Sequence, residues 1–378
     1  SLDLDSIPQE RFSFSCLSYS LDHVVTRPLH SEFLAEKNAS RLDISQDLKR
    51  EFSHHECHLF SILPLITDRS ALVVVADGCG SKMEIVRQLH ALPHPPLGDI
   101  QGNENISVYL KQGDRLECLK KITHKDLLDI PGLLQNPSFV YERTSLLIFG
   151  GNKYSGKVMG LASLKPSKSY SIEELREILQ KPLTRKVVSK ADFDGLSPEE
   201  LQWRIDLSHG AQNYFQSYFL NLFTELKNQH PDVTTLAFVG GCALNCPLNT
   251  EVVNQKMFKQ FILSPFPNDE GIAIGAALLN AYSLGRYKIN RHFYGDDVPF
   301  IGAPQDFAAT TITAQFEGLA KVTKLDHGQM AKLLAKGEVV AWIEGRSEAG
   351  PRALGHRSLL ATPFKVGMKK LNLLLILM

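Results

Sequence analysis

The sequence predicts an α/β fold, and the clearest support comes from residues 234–284. An apolar strand is predicted at 234–239, and it ends at the diglycine Gly240-Gly241, where a helix begins. A second strand is predicted at 260–263, and a helix rich in glycine and alanine at 271–284. Strands that alternate with helices in this way are typical of α/β architecture.

Earlier in the chain the pattern predicts strands and helices that alternate less regularly. They are a modest strand near Val24, a helix at 53–63, a buried strand at 72–76, a short apolar strand at 146–149, and helices at 172–179 and 206–226. The first helix ends before Pro64. The stretch after the buried strand is expected to be rich in loops, because Pro93, Pro95 and Pro96 interrupt regular structure.

The length of 378 residues predicts more than one domain. Glycine and proline interrupt the pattern at 295–304, and beyond them we expect a helix at 330–336 and a strand at 338–343. We therefore predict one domain at 1–300 and a second, partial domain at 301–378.

Composition excludes little but narrows the class of protein. Lys+Arg and Asp+Glu both number 41, so a zero net charge offers no global attraction to nucleic acid or to a membrane surface. Six cysteines without a C-x-x-C pair favour a reducing compartment. No apolar stretch reaches the ~20 residues of a membrane span, and no segment resembles a signal peptide. We expect a cytoplasmic protein.

The pentapeptide His54-His55-Glu56-Cys57-His58 is the strongest chemical signal in the chain. On a helix, His54 and His58 are one turn apart and project from the same face. Asp77 ends the valine-rich strand, so its carboxylate can face that helix. Two imidazoles and a carboxylate suit iron(II), manganese or zinc. The alternative is a polar helix face with incidental histidines.

Glycine-rich segments offer candidate phosphate contacts. Gly240 and Gly241 let the backbone approach a ligand, and the N–H groups of the helix that follows favour an anion. Asn245 is placed to orient a sugar hydroxyl or a carbonyl, although an ordinary tight turn explains the same pattern. A second glycine/lysine loop contains Gly156, Lys157 and Gly160, and Lys157 is a candidate contact to a phosphate or an acyl oxygen. A solvated turn is the alternative there.

Two further charged segments have both a functional and a structural explanation. Asp269 and Glu270 precede a helix and either cap it or, in the case of Asp269, supply a metal ligand opposite Asp77. Arg346, Arg352 and Arg357 lie in a stretch punctuated by glycine and proline, and arginine side chains bind phosphate bidentately. The alternative for them is a surface cluster paired with neighbouring glutamates.

Taken in this order, six segments resemble the O-carbamoyltransferases that modify nodulation factors, cephamycins and aminoglycosides. The shared signatures are H-H-x-x-H, V-V-x-D-G, G-K-V-M-G-L-A, G-G-x-A-L-N, P-N-D-x-G and G-P-R-A-L-G-x-R-S, and all six occur here between about residues 50 and 365. The resemblance implies an actin/HSP70-like (ASKHA) ATPase fold, related to threonylcarbamoyl-tRNA synthesis proteins, followed by a YrdC-like α/β domain.

The resemblance also implies a reaction. The YrdC-like domain converts carbamoyl phosphate and ATP to carbamoyl adenylate, and the actin-like domain passes the carbamoyl group to a hydroxyl of a small-molecule acceptor. A divalent metal, iron(II) in the best resemblance, with manganese or zinc as alternatives, binds the adenylate. The implied metal ligands are His54, His58, Asp77 and Asp269, with Asp77 and Lys157 in catalytic roles. The implied nucleotide contacts are Gly156, Gly160, Gly240, Gly241, Asn245, Arg346, Arg352 and Arg357.

Two departures from the family pattern accompany the resemblance. At the start of the chain, the segment near Gln9 resembles the one that follows the Gly-His-Asp turn of the family. At the other end, residues 338–363 resemble only the beginning of a YrdC-like domain. We therefore expect a homologue truncated at both ends. The alternatives are threonylcarbamoyl transfer to tRNA, the carbamoyl step of hydrogenase maturation, or a truncated protein that binds metal and nucleotide without turnover.

Overall fold

The structure is a computed structural model that describes residues 15–18, 49–88, 92, 100–124, 136–151, 154–180, 196–289, 298–302 and 326–362. It confirms a mixed α/β protein. The chain divides into two compact units, Ser1–Phe293 and Tyr294–Met378. The strand predicted near Val24 lies outside the described residues.

The first unit is built on a five-stranded mixed sheet. Two short strands, β1 (Ser15–Ser18) and β2 (Lys49–Phe52), pair in parallel apart from it. The sheet itself contains β3 (Ser70–Ala76), β4 (Asn103–Gln112), β5 (Arg115–His124), β6 (Thr235–Val239) and β7 (Gln260–Leu263). The strand order is β5-β4-β3-β6-β7, with β3, β6 and β7 parallel and β4 and β5 antiparallel to their neighbours.

The helices of the first unit follow in chain order. They are α1 (His54–Ile62), α2 (Met83–Gln88), α3 (Pro137–Phe149), α4 (Ser155–Ala162), α5 (Ile172–Gln180), α6 (Pro198–Gln229), α7 (Cys246–Gln255) and α8 (Ile272–Ser283). Short 3-10 turns at Gly241–Leu244 and Asp269–Gly271 precede the last two helices.

The central strands β3 and β6 are buried on both faces of the sheet, which explains the valine-rich sequence of β3. Val73 and Val75 share a core with Leu59 of α1 and Leu279 of α8. On the opposite face, Phe238 of β6 packs against Phe219 and Phe223 of α6, with ring centroids 5.3 and 5.4 Å apart. Side chains alternate between faces along a strand, so a strand covered on both sides is apolar throughout.

Helices α1 and α8 pack at very short range. A Cβ atom added at Gly275 of α8 would overlap the main-chain oxygen of Cys57 in α1. Glycine is therefore required here for close approach of two backbones. The contact fixes α1, which carries His54 and His58, against the helix that follows Asp269.

The second unit contains α9 (His327–Lys336) and a small hairpin. Asp326 caps the helix in a capping box with Gln329, and Gly337 ends it in a left-handed conformation. Strands β8 (Val340–Ile343) and β9 (Arg357–Leu360) pair antiparallel. Assignment of this unit to a YrdC-like domain stays a prediction.

Two sequence predictions about local structure were wrong. The apolar run at 146–149 is the last turn of helix α3, which begins at the Asn136 cap and Pro137 and ends at Gly150 in a left-handed conformation. The glycine/lysine loop containing Lys157 is helix α4. Four apolar residues in a row do not distinguish a strand from a buried helix end, and capping residues decide between them here.

The β4–β5 hairpin was also missed, because the prolines before it suggested a loop-rich region. Its signal is the Gly113-Asp114 turn, where Gly113 has φ +60° and Gln112 pairs with Arg115. A two-residue glycine–aspartate connection between alternating strands is typical of a hairpin. Helix α6 is longer than predicted because Ser197 caps it and Pro198 takes its first turn.

A buried ion pair joins the two strands of the β4–β5 hairpin. Glu104 of β4 and Lys121 of β5 are in direct contact, and both side chains are 0% exposed. Burial acts to raise the pKa of Glu104, but the charge of Lys121 and hydrogen bonds from Lys121 and Ser53 outweigh it and lower the pKa to about 2. Lys121 also donates to Ser107 and Tyr109, at 3.2 and 3.3 Å.

Among the described residues, no helix combines the length and the apolar character needed to cross a membrane.

The α1–α8 contact predicts a strong effect of Gly275→Ala. Because the added methyl group meets backbone rather than a movable side chain, we expect the free energy of unfolding to fall by about 3 kcal/mol, or folding to fail. Gly156→Ala is the matched control, since Gly156 lies in helix α4 with no atom within 4 Å of the added Cβ. It should leave stability unchanged or raise it by roughly 0.5–1 kcal/mol. Equal denaturation midpoints for the two variants would contradict the packing.

The Glu104–Lys121 pair predicts a specific pH dependence of stability. The pKa of Glu104 is about 2 in the folded protein against an ordinary 4.5, so the unfolded chain takes up this proton first as pH falls. The stabilisation is therefore present above about pH 4.5 and is lost as the pH falls toward about 2. Urea denaturation across this window should show a flatter pH profile for Glu104→Gln than for the wild type.

Glu117→Gln provides the control for that profile. Glu117 lies exposed on β5, the strand that carries Lys121. This variant should keep the wild-type pH dependence. If the profiles of Glu104→Gln and the wild type run parallel, the pair does not contribute as described.

Candidate metal centre

Helix α1 presents two imidazoles side by side. Ser53 caps the helix by accepting a hydrogen bond from the backbone N–H of Glu56 at 3.4 Å, and every residue from His54 to Ile62 is buried. His54 Nε2 and His58 Nε2 lie 3.2 Å apart. The predicted one-turn spacing therefore brings the two nitrogens together.

The carboxylate of Asp77, at the end of β3, is oriented by backbone donors. Its Oδ1 accepts hydrogen bonds from the N–H of Gly78 at 2.7 Å and of Gly241 at 3.2 Å. Its Oδ2 lies 2.8 Å from His54 Nε2 and 3.1 Å from His58 Nε2. One oxygen is thus held by the protein backbone while the other faces the histidines.

Asp269 supplies a second carboxylate at the same point. Its Oδ1 lies 3.4 Å from Nε2 of both His54 and His58. Its side chain is 32% exposed against 14% for Asp77, so the group opens to solvent on the Asp269 side. Among the described residues, no side chain caps the start of α8, and Asp269 faces the histidines instead.

These four donor atoms have the spacing that one metal ion requires. All lie within 4.8 Å of one another. Ligand atoms bound to one ion at ~2.1 Å in tetrahedral geometry lie ~3.4 Å apart. Two imidazoles and two carboxylates form a donor set that suits iron(II), manganese or zinc. The four residues therefore fit a divalent cation.

The electrostatics of the group also suit a cation. Burial acts to lower the pKa of His54, but hydrogen bonds and charges from Asp269 and Asp77 outweigh it and raise the pKa to about 10. Burial acts to raise the pKa of Asp77, and its hydrogen bonds to His54 and His58 reverse this and lower it. Two carboxylates thus create a site at which positive charge is strongly favoured.

The diglycine turn packs directly against this centre. Gly240 has φ +97°, and a Cβ there would overlap the main-chain oxygen of Ala76. A Cβ at Gly241 would lie 2.7 Å from Asp77 Oδ1. In the described structure, therefore, these glycines let the turn approach Asp77. Their predicted contact with a nucleotide stays a prediction.

Asn245 has a structural role that the sequence did not reveal. It caps α7 by accepting from the N–H of Leu248 at 2.9 Å, and its amide pairs with that of Gln212 through two 3.0 Å hydrogen bonds. Its Nδ2 also donates to Tyr141 Oη at 3.1 Å. The side chain is buried in these contacts, and its predicted role in ligand binding remains untested.

The other predicted ligand contacts lie on different elements. Gly156, Lys157 and Gly160 belong to α4, which packs against α3 and α6, and Lys157 Nζ lies 4.9 Å from the centroid of the Tyr154 ring. In the second unit, Arg357 donates to the main-chain oxygens of Glu344 and Gly345, at 2.8 and 3.1 Å. Arg346 and Arg352 are exposed.

The sequence did not reveal the residues that hydrogen-bond to the backbone of Asp77. Asn105 Nδ2 and Ser138 Oγ donate to the main-chain oxygen of Asp77, at 2.7 and 3.0 Å. The available signal was the polar run Asn103-Glu104-Asn105 at the start of an otherwise apolar strand. Without the hairpin prediction, that run could not be placed beside β3.

Comparison with known proteins gives two family matches. The model for the carbamoyltransferase N-terminus matches residues 139–278, and that for the carbamoyltransferase C-terminus matches residues 331–374. Both lie in the order that the motifs indicated.

Curated relatives are also similar to this chain. An uncharacterised protein of Methanocaldococcus jannaschii is 26% identical over 85% of this chain and 58% of its own length. Nodulation protein NolNO of Sinorhizobium fredii is 34% identical over 42% of this chain and 23% of its own. The 3'-hydroxymethylcephem-O-carbamoyltransferase of Streptomyces clavuligerus is 30% identical over 56% of this chain and 39% of its own length. The matches thus span a quarter to three fifths of these relatives.

Among solved structures, full-length HypF in its phosphate- and nucleotide-bound form is similar with a TM-score of 0.38 and 13% identity, over 68% of this chain and 46% of that chain. The family matches and the curated relatives confirm the resemblance that the six motifs indicated. Two stretches of the chain therefore match carbamoyltransferase family models, and the chain is similar to an O-carbamoyltransferase.

Proposed function

We propose that this protein takes part in transfer of a carbamoyl group from carbamoyl adenylate to a hydroxyl of a small molecule, at a divalent cation held by His54, His58, Asp77 and Asp269. The observation that carries the proposal is the convergence of four donor atoms within 4.8 Å, at the end of β3. The similarity to a 3'-hydroxymethylcephem-O-carbamoyltransferase supports a hydroxyl as the acceptor.

The reaction joins the acceptor hydroxyl oxygen to the carbamoyl carbon and breaks the bond between that carbon and the adenylate oxygen. AMP leaves, and the hydroxyl proton passes to a general base. A bound iron(II), manganese or zinc would supply Lewis-acid polarisation of the carbamoyl or adenylate oxygens. His54, His58 and Asp77 would hold it from the buried side, and the partly exposed Asp269 would border the side open to the substrate.

The remaining predicted residues have proposed roles in binding. Lys157 would stabilise negative charge on the phosphate or on the developing oxyanion. Gly156 and Gly160 would allow close approach of the adenylate to α4, and the backbone around Gly240, Gly241 and Asn245 would border the nucleotide. In the second unit, Arg346, Arg352 and Arg357 would bind phosphate of ATP or carbamoyl phosphate.

The fold assignment belongs to the same proposal. The five-stranded mixed sheet with helices on both faces is compatible with an actin/HSP70-like first unit, and a YrdC-like second unit is proposed from the resemblance alone. Threonylcarbamoyl-tRNA synthesis and carbamoylation in hydrogenase maturation are the competing activities, and binding of metal and nucleotide without turnover is the third. The zero net charge gives no support to a tRNA partner.

Metal binding is the first test of this proposal. Anaerobic titration with iron(II), manganese and zinc should show one ion per chain. His54→Ala and His58→Ala each remove a proposed ligand, so each should weaken metal affinity by more than roughly 100-fold. This loss is larger than is usual for residues that contact a ligand without binding the metal themselves. His209→Ala is the control, because His209 lies on α6 beside Asn213. Binding that survives both ligand substitutions would contradict the site.

Lys157 tests the role of α4 in the adenylate site. Lys157→Gln removes a cation, so the affinity for a stable carbamoyl adenylate analogue should fall by roughly tenfold, with metal affinity unchanged. Calorimetry with the metal-loaded protein measures both. Lys165→Gln, at an exposed lysine just past the end of α4, is the control and should match the wild type. Equal affinities of Lys157→Gln and Lys165→Gln for the analogue would contradict a role of Lys157 in adenylate binding.

A further inference from the structure

Glu104 connects three segments of the first unit at one buried point. Both of its carboxylate oxygens lie 2.9 Å from Ser53 Oγ, the cap of helix α1. Its Oε2 also accepts from the N–H of Ser81 at 3.3 Å. On its third side it contacts Lys121 of β5. One carboxylate thus holds the start of α1, the segment after Asp77 and the hairpin together.

The same segments are joined by backbone hydrogen bonds around Glu104. The Gly80 N–H donates to the main-chain oxygen of Glu104 at 2.7 Å, and the Glu104 N–H donates to that of Ser81 at 3.0 Å. Ser81 Oγ in turn accepts from the N–H of His54 at 3.0 Å. The chain from Asp77 to Ser81 is therefore attached to the first residue of the histidine helix.

Lys121 explains how this carboxylate is kept charged in the interior. Neither side chain is exposed, and an isolated buried carboxylate would favour its neutral form. Lys121 Nζ also donates to Ser107 Oγ at 3.2 Å, and His55 Nδ1 lies 2.8 Å from the same oxygen. The cation is thus linked to the second histidine of α1 as well as to Glu104.

The two attached segments are those that carry the candidate ligands. Ser53 immediately precedes His54, and Ser81 lies four residues after Asp77. We propose that Glu104, with Lys121 as its counter-ion, is a positioning residue that sets the spacing between the histidines of α1 and the carboxylate of Asp77. The inference rests on the proposed metal function for its consequence, but the spacing can be measured without metal.

Conservative substitutions separate positioning from general stability. Glu104→Gln keeps the shape of the side chain but presents an amide donor to Lys121, and Lys121→Met removes the counter-ion. Both should lengthen the separation between Asp77 Oδ2 and the two Nε2 atoms in crystal structures of the metal-free variants. Both should weaken metal affinity by on the order of tenfold, the lower range for residues outside the ligand set. Lys121→Arg keeps the charge and should restore most of the affinity.

Asp206→Asn is the matched control. Asp206 is a buried carboxylate on α6 that accepts from the N–H and Oγ of Ser167, at 2.8 and 2.7 Å. Its substitution also removes a hydrogen-bonded buried carboxylate, so it should lower the melting temperature while leaving the ligand spacing and metal affinity unchanged.

The outcomes are distinct. Longer separations in Glu104→Gln, with normal spacing in Asp206→Asn, support the inference. Unchanged spacing and affinity in folded Glu104→Gln, with only a lower melting temperature, would overturn it. If the wild type binds no metal, the proposed function fails, and the separations in the metal-free crystals still decide whether Glu104 positions the ligands.

Discussion

The orientation of the Asp77 carboxylate is the interaction on which the candidate centre depends. One oxygen is fixed by two backbone N–H groups, from Gly78 and Gly241, and the other is thereby directed at His54 and His58. This arrangement requires the diglycine turn to lie against the end of β3, where any larger residue at Gly240 would overlap Ala76. The glycines that suggested phosphate binding therefore have a direct role in orienting the Asp77 carboxylate.

The scaffold around this centre is held by contacts from several directions. Helix α1 is held by α8 through the Gly275 contact, and its N-terminus is held by Ser53, Ser81 and Glu104. Both carboxylates of the candidate centre lie at boundaries between elements, Asp77 after β3 and Asp269 before α8. A site with two buried imidazoles and one partly exposed carboxylate can hold a cation firmly on one side while remaining accessible on the other.

The sequence predicted the four-residue group better than its surroundings. The i, i+4 spacing of His54 and His58 and the strand ending at Asp77 are local signals, so they could be recognised without a fold. The residues alone left Asp269 as either a helix cap or a metal ligand, and only the resemblance favoured the ligand, since its distance along the chain hides its contact. Glu104 and Lys121 carry no such signal, because their partners become visible only when the β4–β5 hairpin is placed. Likewise, the apolar run at the end of α3 did not by itself exclude a strand, and only the caps at Asn136 and Gly150 identify it as the end of a helix.

Anomalous diffraction from crystals grown anaerobically with iron(II) or manganese tests the account most directly. We expect one anomalous peak about 2.1 Å from Nε2 of both His54 and His58 and from a carboxylate oxygen of both Asp77 and Asp269. A metal-saturated crystal with no peak there, and with both imidazoles still hydrogen-bonded to Asp77, would contradict it. In that case the four residues would form a buried proton-sharing cluster instead of a metal centre.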